Sequence, residues 1–246
     1  MPVFFVKTDQ ALVEGEQISI VGDDAYHIAR SLRMATKDEI RVSNGKEQAV
    51  CSLLSIRDSE CIANVDEVLG TKGEPPYSVT VYQGLPKGDK LETVIQKSTE
   101  CGASAIVPFA SDFCTVKMTD QGSEQKKTQR RQRIAFEAAK QCGRTVIPSV
   151  KGTLTFSSML DEAFSADAVI FCYEHERTLS LREALRQISP VGKRVSIIIG
   201  SEGGFSDKEA ERIRERGAVC VSLGERILRT ESAAVFVLSA MSTIFE

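Results

Sequence analysis

The chain is poor in the residues on which many enzyme classes depend. It has no tryptophan and only two histidines, His27 and His175, among 246 residues. Two histidines leave few candidates for a histidine-rich metal site or a Ser-His-Asp triad. The seven cysteines are odd in number and include no C-x-x-C pair, which argues against a disulfide framework and a zinc ribbon. We therefore expect no bound metal.

Long apolar runs are also missing. The first ten residues contain no extended hydrophobic region and no small-residue cleavage site, so they do not read as a signal peptide. No apolar run approaches the length that crosses a bilayer. With 42% hydrophobic and 26% charged residues, the composition is that of a globular protein. We expect a cytoplasmic protein without a membrane partner.

A general excess of positive charge is absent as well. Lysine and arginine number 31 against 34 acidic residues, for a net charge of −3. Proteins that bind nucleic acid usually present a basic face, because phosphates must be neutralised. Two segments are locally basic, residues 126–144 and the group Arg30, Arg33 and Lys37. Runs of charged residues often form only a solvent-exposed helix face. Composition therefore leaves nucleic-acid binding open.

The first seventy residues have a β-rich pattern. Short β-type runs occupy 17–20, 39–42 and 49–53, and Asn44-Gly45 favours a tight hairpin. One helix is predicted over 24–34. Residues 70–76 combine glycine, proline and charge, which is typical of a linker.

The remaining chain alternates strands with helices. Strands are predicted over 79–82, 105–109, 168–173, 194–199 and 218–223, and helices over 90–101, 124–141, 180–188, 207–216 and 232–244. Ser206 and Glu209 have the spacing of a capping box. Because several strands are continuously apolar, the pattern indicates an α/β domain whose parallel sheet is covered on both faces.

A glycine-rich segment follows one of these strands. Gly200, Gly203 and Gly204 provide three glycines in five positions, between an apolar strand and the capped helix. Glycine permits close backbone approaches, and ligands of open α/β sheets bind at the carboxyl ends of strands. The segment does not match G-x-G-x-x-G, so the nicotinamide fingerprint is not met. The alternative is an ordinary tight turn.

A second unusual segment, residues 223–232, precedes the last helix. It places two arginines and two glutamates around Ile227-Leu228. An apolar pair flanked by glycine and charge suits an adenine-binding loop. The alternative is a helix start with Thr230 as cap and Glu231 in an acidic first turn, which leaves the apolar pair unexplained.

Together these segments resemble a known family, the ribosomal RNA small subunit methyltransferase E enzymes. The blocks that carry the resemblance are GSEGGFSDKE, SLGERILRTESAA, GLPKGDKLETVIQKSTECGASAIVPF, RIAFEAAKQCGRTVIPSV and YHIARSLRMATKDEI. Two positions depart from the family pattern, since Ser201 and Glu225 stand where proline is usual. Both departures make the loops less stiff.

The resemblance implies a fold and an activity. The fold is α/β, with a SPOUT-type parallel sheet and C-terminal trefoil knot in residues 73–246. A small PUA-like β-barrel that binds RNA occupies residues 1–72. The activity is transfer of a methyl group from S-adenosylmethionine to N3 of a uridine in 16S ribosomal RNA, within the assembled small subunit. The family members are homodimers whose active sites borrow residues from the partner.

The resemblance also implies site residues. Those expected to contact the cofactor are Tyr173, Gly200, Glu202, Gly203, Gly204, Leu223, Gly224, Ile227, Leu228 and Thr230. Those expected to contact RNA are Arg30, Arg33, Lys87, Arg130, Arg131, Arg133, Arg144 and Arg226. Because the imide proton of uridine N3 must leave, a base or an anion stabiliser is needed. Glu202 and Glu231 are the candidate bases, and Arg229 is the candidate stabiliser.

Two other function classes compete with this interpretation. A dinucleotide-dependent oxidoreductase would need a glycine fingerprint after an early strand, which the chain lacks. A non-catalytic RNA-binding assembly factor with a degenerate cofactor site is favoured only by the two missing prolines. Binding of S-adenosylmethionine separates all three classes.

Overall fold

The chain folds into two compact units. The computed structural model describes residues 1–8, 10–115 and 121–246. One unit comprises Met1–Glu74 and Ala139–Ile147, and the other comprises Pro75–Ala138 and Pro148–Glu246. Among the described residues, no helix combines the length and apolar character that a membrane crossing requires.

The first unit is built on a five-stranded sheet of order β1-β3-β4-β5-β2. The strands are β1 (Val3–Phe5), β2 (Gln17–Val21), β3 (Glu39–Ser43), β4 (Gln48–Ile56) and β5 (Glu60–Gly70). β1 runs parallel to β3, and the other pairs are antiparallel. The predicted hairpin joins β3 to β4, where the Asn44 side chain accepts hydrogen bonds from the backbone N–H groups of Lys46 and Glu47 at 3.0 and 2.9 Å.

The helix predicted over 24–34 is shorter and irregular. A single α-turn, α1 (Asp23–Tyr26), continues into a π-helical turn over His27–Ser31. The wide turn is closed by the Leu32 N–H, which donates to the His27 carbonyl at 2.9 Å. Arg33 then adopts a left-handed φ of 52°, which ends the helix because right-handed helical geometry cannot continue through it.

A buried ion pair ties the two sections of this unit together. The Arg144 guanidinium and the Glu74 carboxylate lie 2.6 Å apart, and their side chains are 5% and 13% exposed. The same carboxylate accepts the backbone N–H groups of Thr145 and Val146, each at 2.9 Å. Since burial of a charge is costly unless it is paired, Glu74 fixes where residues 139–147 lie.

The second unit confirms the predicted α/β class with a parallel sheet. Its strand order is β12-β10-β11-β6-β7-β8, with β9 also on β7, and all the pairs are parallel. The strands are β6 (Ser78–Gly84), β7 (Ala105–Ala110), β8 (Ser149–Val150), β9 (Leu154–Thr155), β10 (Ala168–Cys172), β11 (Arg194–Ile199) and β12 (Val219–Val221). Along β10, Ile170 and Cys172 join one buried cluster while Val169 and Phe171 join another. Apolar side chains therefore cover both faces of the sheet.

Six helices accompany this sheet in the described part of the chain. They are α2 (Lys90–Glu100), α3 (Gln121–Cys142), α4 (Phe156–Ala163), α5 (Leu181–Ile188), α6 (Asp207–Glu215) and α7 (Thr230–Phe245). The predicted capping box of Ser206 and Glu209 is present at α6. Sequence reasoning missed α4, a two-turn helix capped by Thr155, whose hydroxyl accepts the Ser158 N–H. Two-residue strands precede it, too short for a periodic pattern to stand out.

Replacing Glu74 by alanine tests the buried ion pair. The change leaves the Arg144 guanidinium buried without this carboxylate, so we expect the free energy of unfolding to fall by about 3 kcal/mol. Glu67→Ala, at an exposed position of β5, is the matched control and should shift it by less than about 0.5 kcal/mol. Urea unfolding measures the free energy of both variants. Equally small changes in the two would contradict the stabilising role of the Glu74–Arg144 ion pair.

Candidate functional site

A cavity opens at the carboxyl ends of β10, β11 and β12, where ligands of parallel sheets bind. Its volume is about 530 Å³, within the range of small-molecule sites. Three loops form most of its wall, namely the turn after β10, the glycine loop (residues 200–204) after β11, and residues 222–229 before α7. The lining residues are Lys90, Cys172, Tyr173, Glu174, Arg177, Ile199, Gly200, Ser201, Glu202, Gly203, Gly204, Ser222, Leu223, Gly224, Glu225, Arg226, Ile227, Leu228, Arg229, Thr230 and Ala233.

The glycine loop is too tightly packed for side chains at its ends. A Cβ on Gly200 would lie 2.9 Å from the Phe205 ring and 3.1 Å from the Gly204 Cα. Gly204 itself has a φ of 69°, a conformation that other residues rarely adopt. Its N–H donates to the Ser201 carbonyl at 3.0 Å, so the loop doubles back and presents backbone to the cavity.

A buried hydrogen-bond node holds this loop against α7. The Thr230 hydroxyl donates to the Gly200 carbonyl at 2.6 Å and accepts from the Gln83 amide at 2.7 Å. That amide also lies 3.1 Å from the Gly200 carbonyl, and Gln83 is fully buried. The alternative role of Thr230 as a helix cap is therefore wrong, because Arg229 occupies the N-cap position and the Thr230 side chain faces the loop.

Glu202 is held by an ion pair rather than left free. Its carboxylate lies 2.6 Å from the Lys90 ammonium and accepts the Lys87 backbone N–H at 3.1 Å. Partial burial opposes ionisation, but the hydrogen bonds from Lys90 and Lys87 outweigh it, and the pKa of Glu202 lies below its ordinary value. The group is consequently a carboxylate at neutral pH.

The structure brings most of the predicted cofactor and catalytic positions together. All ten positions predicted to contact a cofactor line the cavity, and so do Arg226 and Arg229. Tyr173 is buried at its wall, with its ring 5.2 Å from Phe171 and under the Arg214 guanidinium. Ile227, by contrast, is 83% exposed.

Glu231 lies elsewhere. It follows Thr230 in the first turn of α7 and lines an adjoining, largely apolar groove with Thr93, Leu181 and Phe236. This groove shares Ser222, Leu223, Gly224 and Leu228 with the cavity. One of its carboxylate oxygens is buried without a hydrogen-bond partner in the described part of the chain. The two predicted bases therefore line different pockets, which share a wall.

The predicted RNA-binding arginines and lysine differ in exposure. Arg144 is buried against Glu74, and Arg131 is 13% exposed and paired with Glu124 at 2.9 Å. Two others are exposed but ion-paired: Arg30 with Asp58, and Arg130 with Glu92, both at 2.7 Å. The remaining four, which are exposed and have no ion pair with another described residue, are Arg33, Lys87, Arg133 and Arg226.

Sequence reasoning missed three residues of the site. Gln83 carried a usable signal, since a polar residue ends an apolar strand directly before Gly84. Lys90 gave no signal, because its partner Glu202 lies 112 positions away. Glu174 also went unnoticed, although it follows an apolar strand at the edge where ligands bind.

Comparisons with known proteins identify relatives of the chain. A family model described as an RNA methyltransferase domain matches residues 73–242. The chain is 36% identical to the ribosomal RNA small subunit methyltransferase E of Bacillus subtilis strain 168, over 98% of this chain and 96% of that protein. It is 29% identical to the protein of that name from Synechocystis, over 98% of this chain and 80% of the relative.

A solved structure is similar as well. The ribosomal RNA small subunit methyltransferase E from Neisseria gonorrhoeae, bound to S-adenosyl methionine, matches with a TM-score of 0.84 and 25% identity. The match covers 100% of this chain and 98% of the other.

Thr230→Val tests the buried node. The change removes a hydroxyl that serves both Gln83 and Gly200, so we expect a loss of about 1–3 kcal/mol in the free energy of unfolding. Thr243→Val is the matched control on the same helix. The Thr243 hydroxyl is exposed and donates a hydrogen bond to the Ser239 carbonyl. Thermal unfolding measures both variants. If the midpoint of Thr230→Val shifts as little as that of Thr243→Val, the node does not hold the loop.

Proposed function

The chain belongs to the ribosomal RNA small subunit methyltransferase E family, and we propose that it methylates N3 of a uridine in 16S ribosomal RNA from S-adenosylmethionine. We propose the assembled small subunit as its substrate. One observation carries the proposal: the ten positions that the family resemblance assigns to the cofactor line a single cavity at the carboxyl end of the parallel sheet. The related Neisseria protein was crystallised with S-adenosyl methionine.

The residues of the cavity fit this cofactor. Ile227 and Leu228 offer apolar surface for the adenine ring. The glycine loop offers backbone groups where a Cβ at Gly200 would collide. The Ser201 hydroxyl is buried without a hydrogen-bond partner in the described part of the chain, which suits a polar ligand atom at this loop. When bound, S-adenosylmethionine supplies an electrophilic methyl group on a sulfonium.

The remaining chemistry is proton removal and charge stabilisation at the uracil. Glu202 lines the cavity and is ionised at neutral pH, so it can accept the N3 proton. Glu231 lines a different groove, and we therefore assign the base to Glu202. Its low basicity makes stabilisation of the uracil anion more important, and Arg229, exposed at the cavity edge, fills that role.

RNA binding in the proposal rests on exposed basic residues. Arg33, Lys87, Arg133 and Arg226 are free to contact phosphates, whereas Arg131 and Arg144 act inside the fold. Residues 1–72 form the PUA-like RNA-binding domain, and residues 73–246 form the SPOUT methyltransferase domain with its trefoil knot. In a cytoplasmic homodimer two small basic tracts would become one longer binding surface, so RNA could be bound locally despite the net charge of −3 on each chain.

Calorimetric titration with S-adenosylmethionine tests the cofactor assignment. We expect the wild-type chain to bind S-adenosylmethionine saturably and not to bind NADH. Gly200→Ala should weaken binding at least about ten-fold, because the new Cβ collides with Phe205 and Gly204. Gly152→Ala is the matched control, since its Cβ would meet nothing closer than 3.7 Å. Absence of binding by the folded wild-type chain would contradict the proposal.

Methyl transfer to purified small subunits tests the choice of base. Glu202→Gln should lower the rate of methyl transfer by about 100-fold or more, as expected for loss of a general base. Glu231→Gln should leave it within a few-fold of wild type, because Glu231 faces another groove. Since the pKa of Glu202 is lowered, the wild-type rate should not fall between pH 7 and pH 5.5 through protonation of this group. The reverse ranking of the two variants would move the base to Glu231.

A further inference from the structure

Glu174 is a cavity carboxylate to which the proposed mechanism gives no role. It lies two positions beyond the end of β10 and lines the cavity. Its carboxylate packs directly over the Gly204 backbone: a Cβ on Gly204 would collide with a Glu174 oxygen and lie 3.1 Å from its carboxyl carbon. The absence of a side chain at Gly204 is thus what lets this carboxylate reach the glycine loop.

Arg177 positions the turn that carries Glu174. Its guanidinium donates to the backbone carbonyls of Glu174 at 2.7 Å and Glu176 at 3.1 Å, and not to the Glu174 carboxylate. The Glu176 carboxylate in turn accepts the backbone N–H groups of Arg177 at 2.8 Å and Thr178 at 2.6 Å. The nearest arginine in sequence is therefore engaged with the backbone.

The other cavity carboxylates differ from Glu174. Glu202 is neutralised by Lys90 at 2.6 Å. Glu225 lies in the exposed loop beside Arg226. Among the described residues, Glu174 is the cavity carboxylate that touches the glycine loop without an ion-pair partner. A negative charge in such a place favours a cationic ligand group.

We propose that the Glu174 carboxylate binds a cationic group of S-adenosylmethionine, either its sulfonium or its amino-acid ammonium. The inference rests on the proposed function, and it makes Glu174 a positioning residue for the methyl donor. It also has a consequence for turnover if the sulfonium is the group bound. The product S-adenosylhomocysteine has a neutral sulfur, so the attraction would be lost once the methyl group has left.

Calorimetric titration of the full chain with S-adenosylmethionine and with S-adenosylhomocysteine tests this inference. Glu174→Gln should weaken binding of S-adenosylmethionine by about ten-fold, and the difference from wild type should shrink at high salt. Glu174→Asp, which keeps the charge, should recover part of the loss. Glu215→Gln is the matched control, because Glu215 is an exposed carboxylate on α6 that does not line the cavity, and it should change binding by less than about two-fold.

The two ligands separate the possible outcomes. A loss confined to S-adenosylmethionine identifies the sulfonium, and an equal loss for both ligands identifies the ammonium, which both carry. If Glu174→Gln binds both ligands with the affinity of the wild type, the inference is overturned, but the proposed function is not affected. Failure of the wild type to bind either ligand overturns the proposed function and this inference together. Because Glu174 is exposed, an unchanged thermal midpoint checks that the variant is folded.

Discussion

The site depends on a buried hydrogen-bond node that joins three distant parts of the chain. Gln83 is the penultimate residue of β6, Gly200 follows β11, and Thr230 begins α7. Each supplies a polar atom that would be costly to bury alone, and together they satisfy one another at 2.6–3.1 Å. The glycine loop and the start of α7 are therefore fixed to the central strands of the sheet, and the cavity between them has a defined wall.

Glycine is required beside this node for steric reasons. The end of β6 approaches the loop so closely that a Cβ on Gly84 would lie 2.6 Å from the Ser201 nitrogen. Gly200 faces the Phe205 ring in the same way. The loop thus combines a rigid attachment at Gly200 with backbone that is open to a ligand. Ser201, where the family resemblance predicts proline, lies in this loop, which the glycines and the node hold in place.

Much of the second unit could be predicted from the sequence, because its signals are local. Continuous apolar strands, the capping box at Ser206 and the glycines after β11 each report on their own segment. The rest depends on partners far away along the chain. A charge pattern does not reveal that Arg144 is buried against Glu74, or that Lys90 pairs with Glu202. Nor does it show that Thr230 faces the loop while Glu231, one residue on, faces another groove.

The ion pairs reduce the positive charge that the basic segments can offer to phosphates. Several arginines in the basic segments are engaged inside the fold, as Arg131 and Arg144 show. The local basic runs therefore overstate the charge available to phosphates. Exposed basic residues also lie outside these segments, among them Lys87, Arg226 and Arg229. Two of these, Arg226 and Arg229, line the cavity itself, together with Lys90 and Arg177.

We propose that this cavity delivers a methyl group to N3 of a uridine in 16S ribosomal RNA. The most direct test incubates small subunits lacking the modification with the protein and S-adenosylmethionine that carries a deuterated methyl group. Mass spectrometry of the digested 16S RNA then identifies the labelled nucleoside. We expect deuterated 3-methyluridine at a single site. Label on another base or on another atom of uridine, or no label despite bound cofactor, would contradict it.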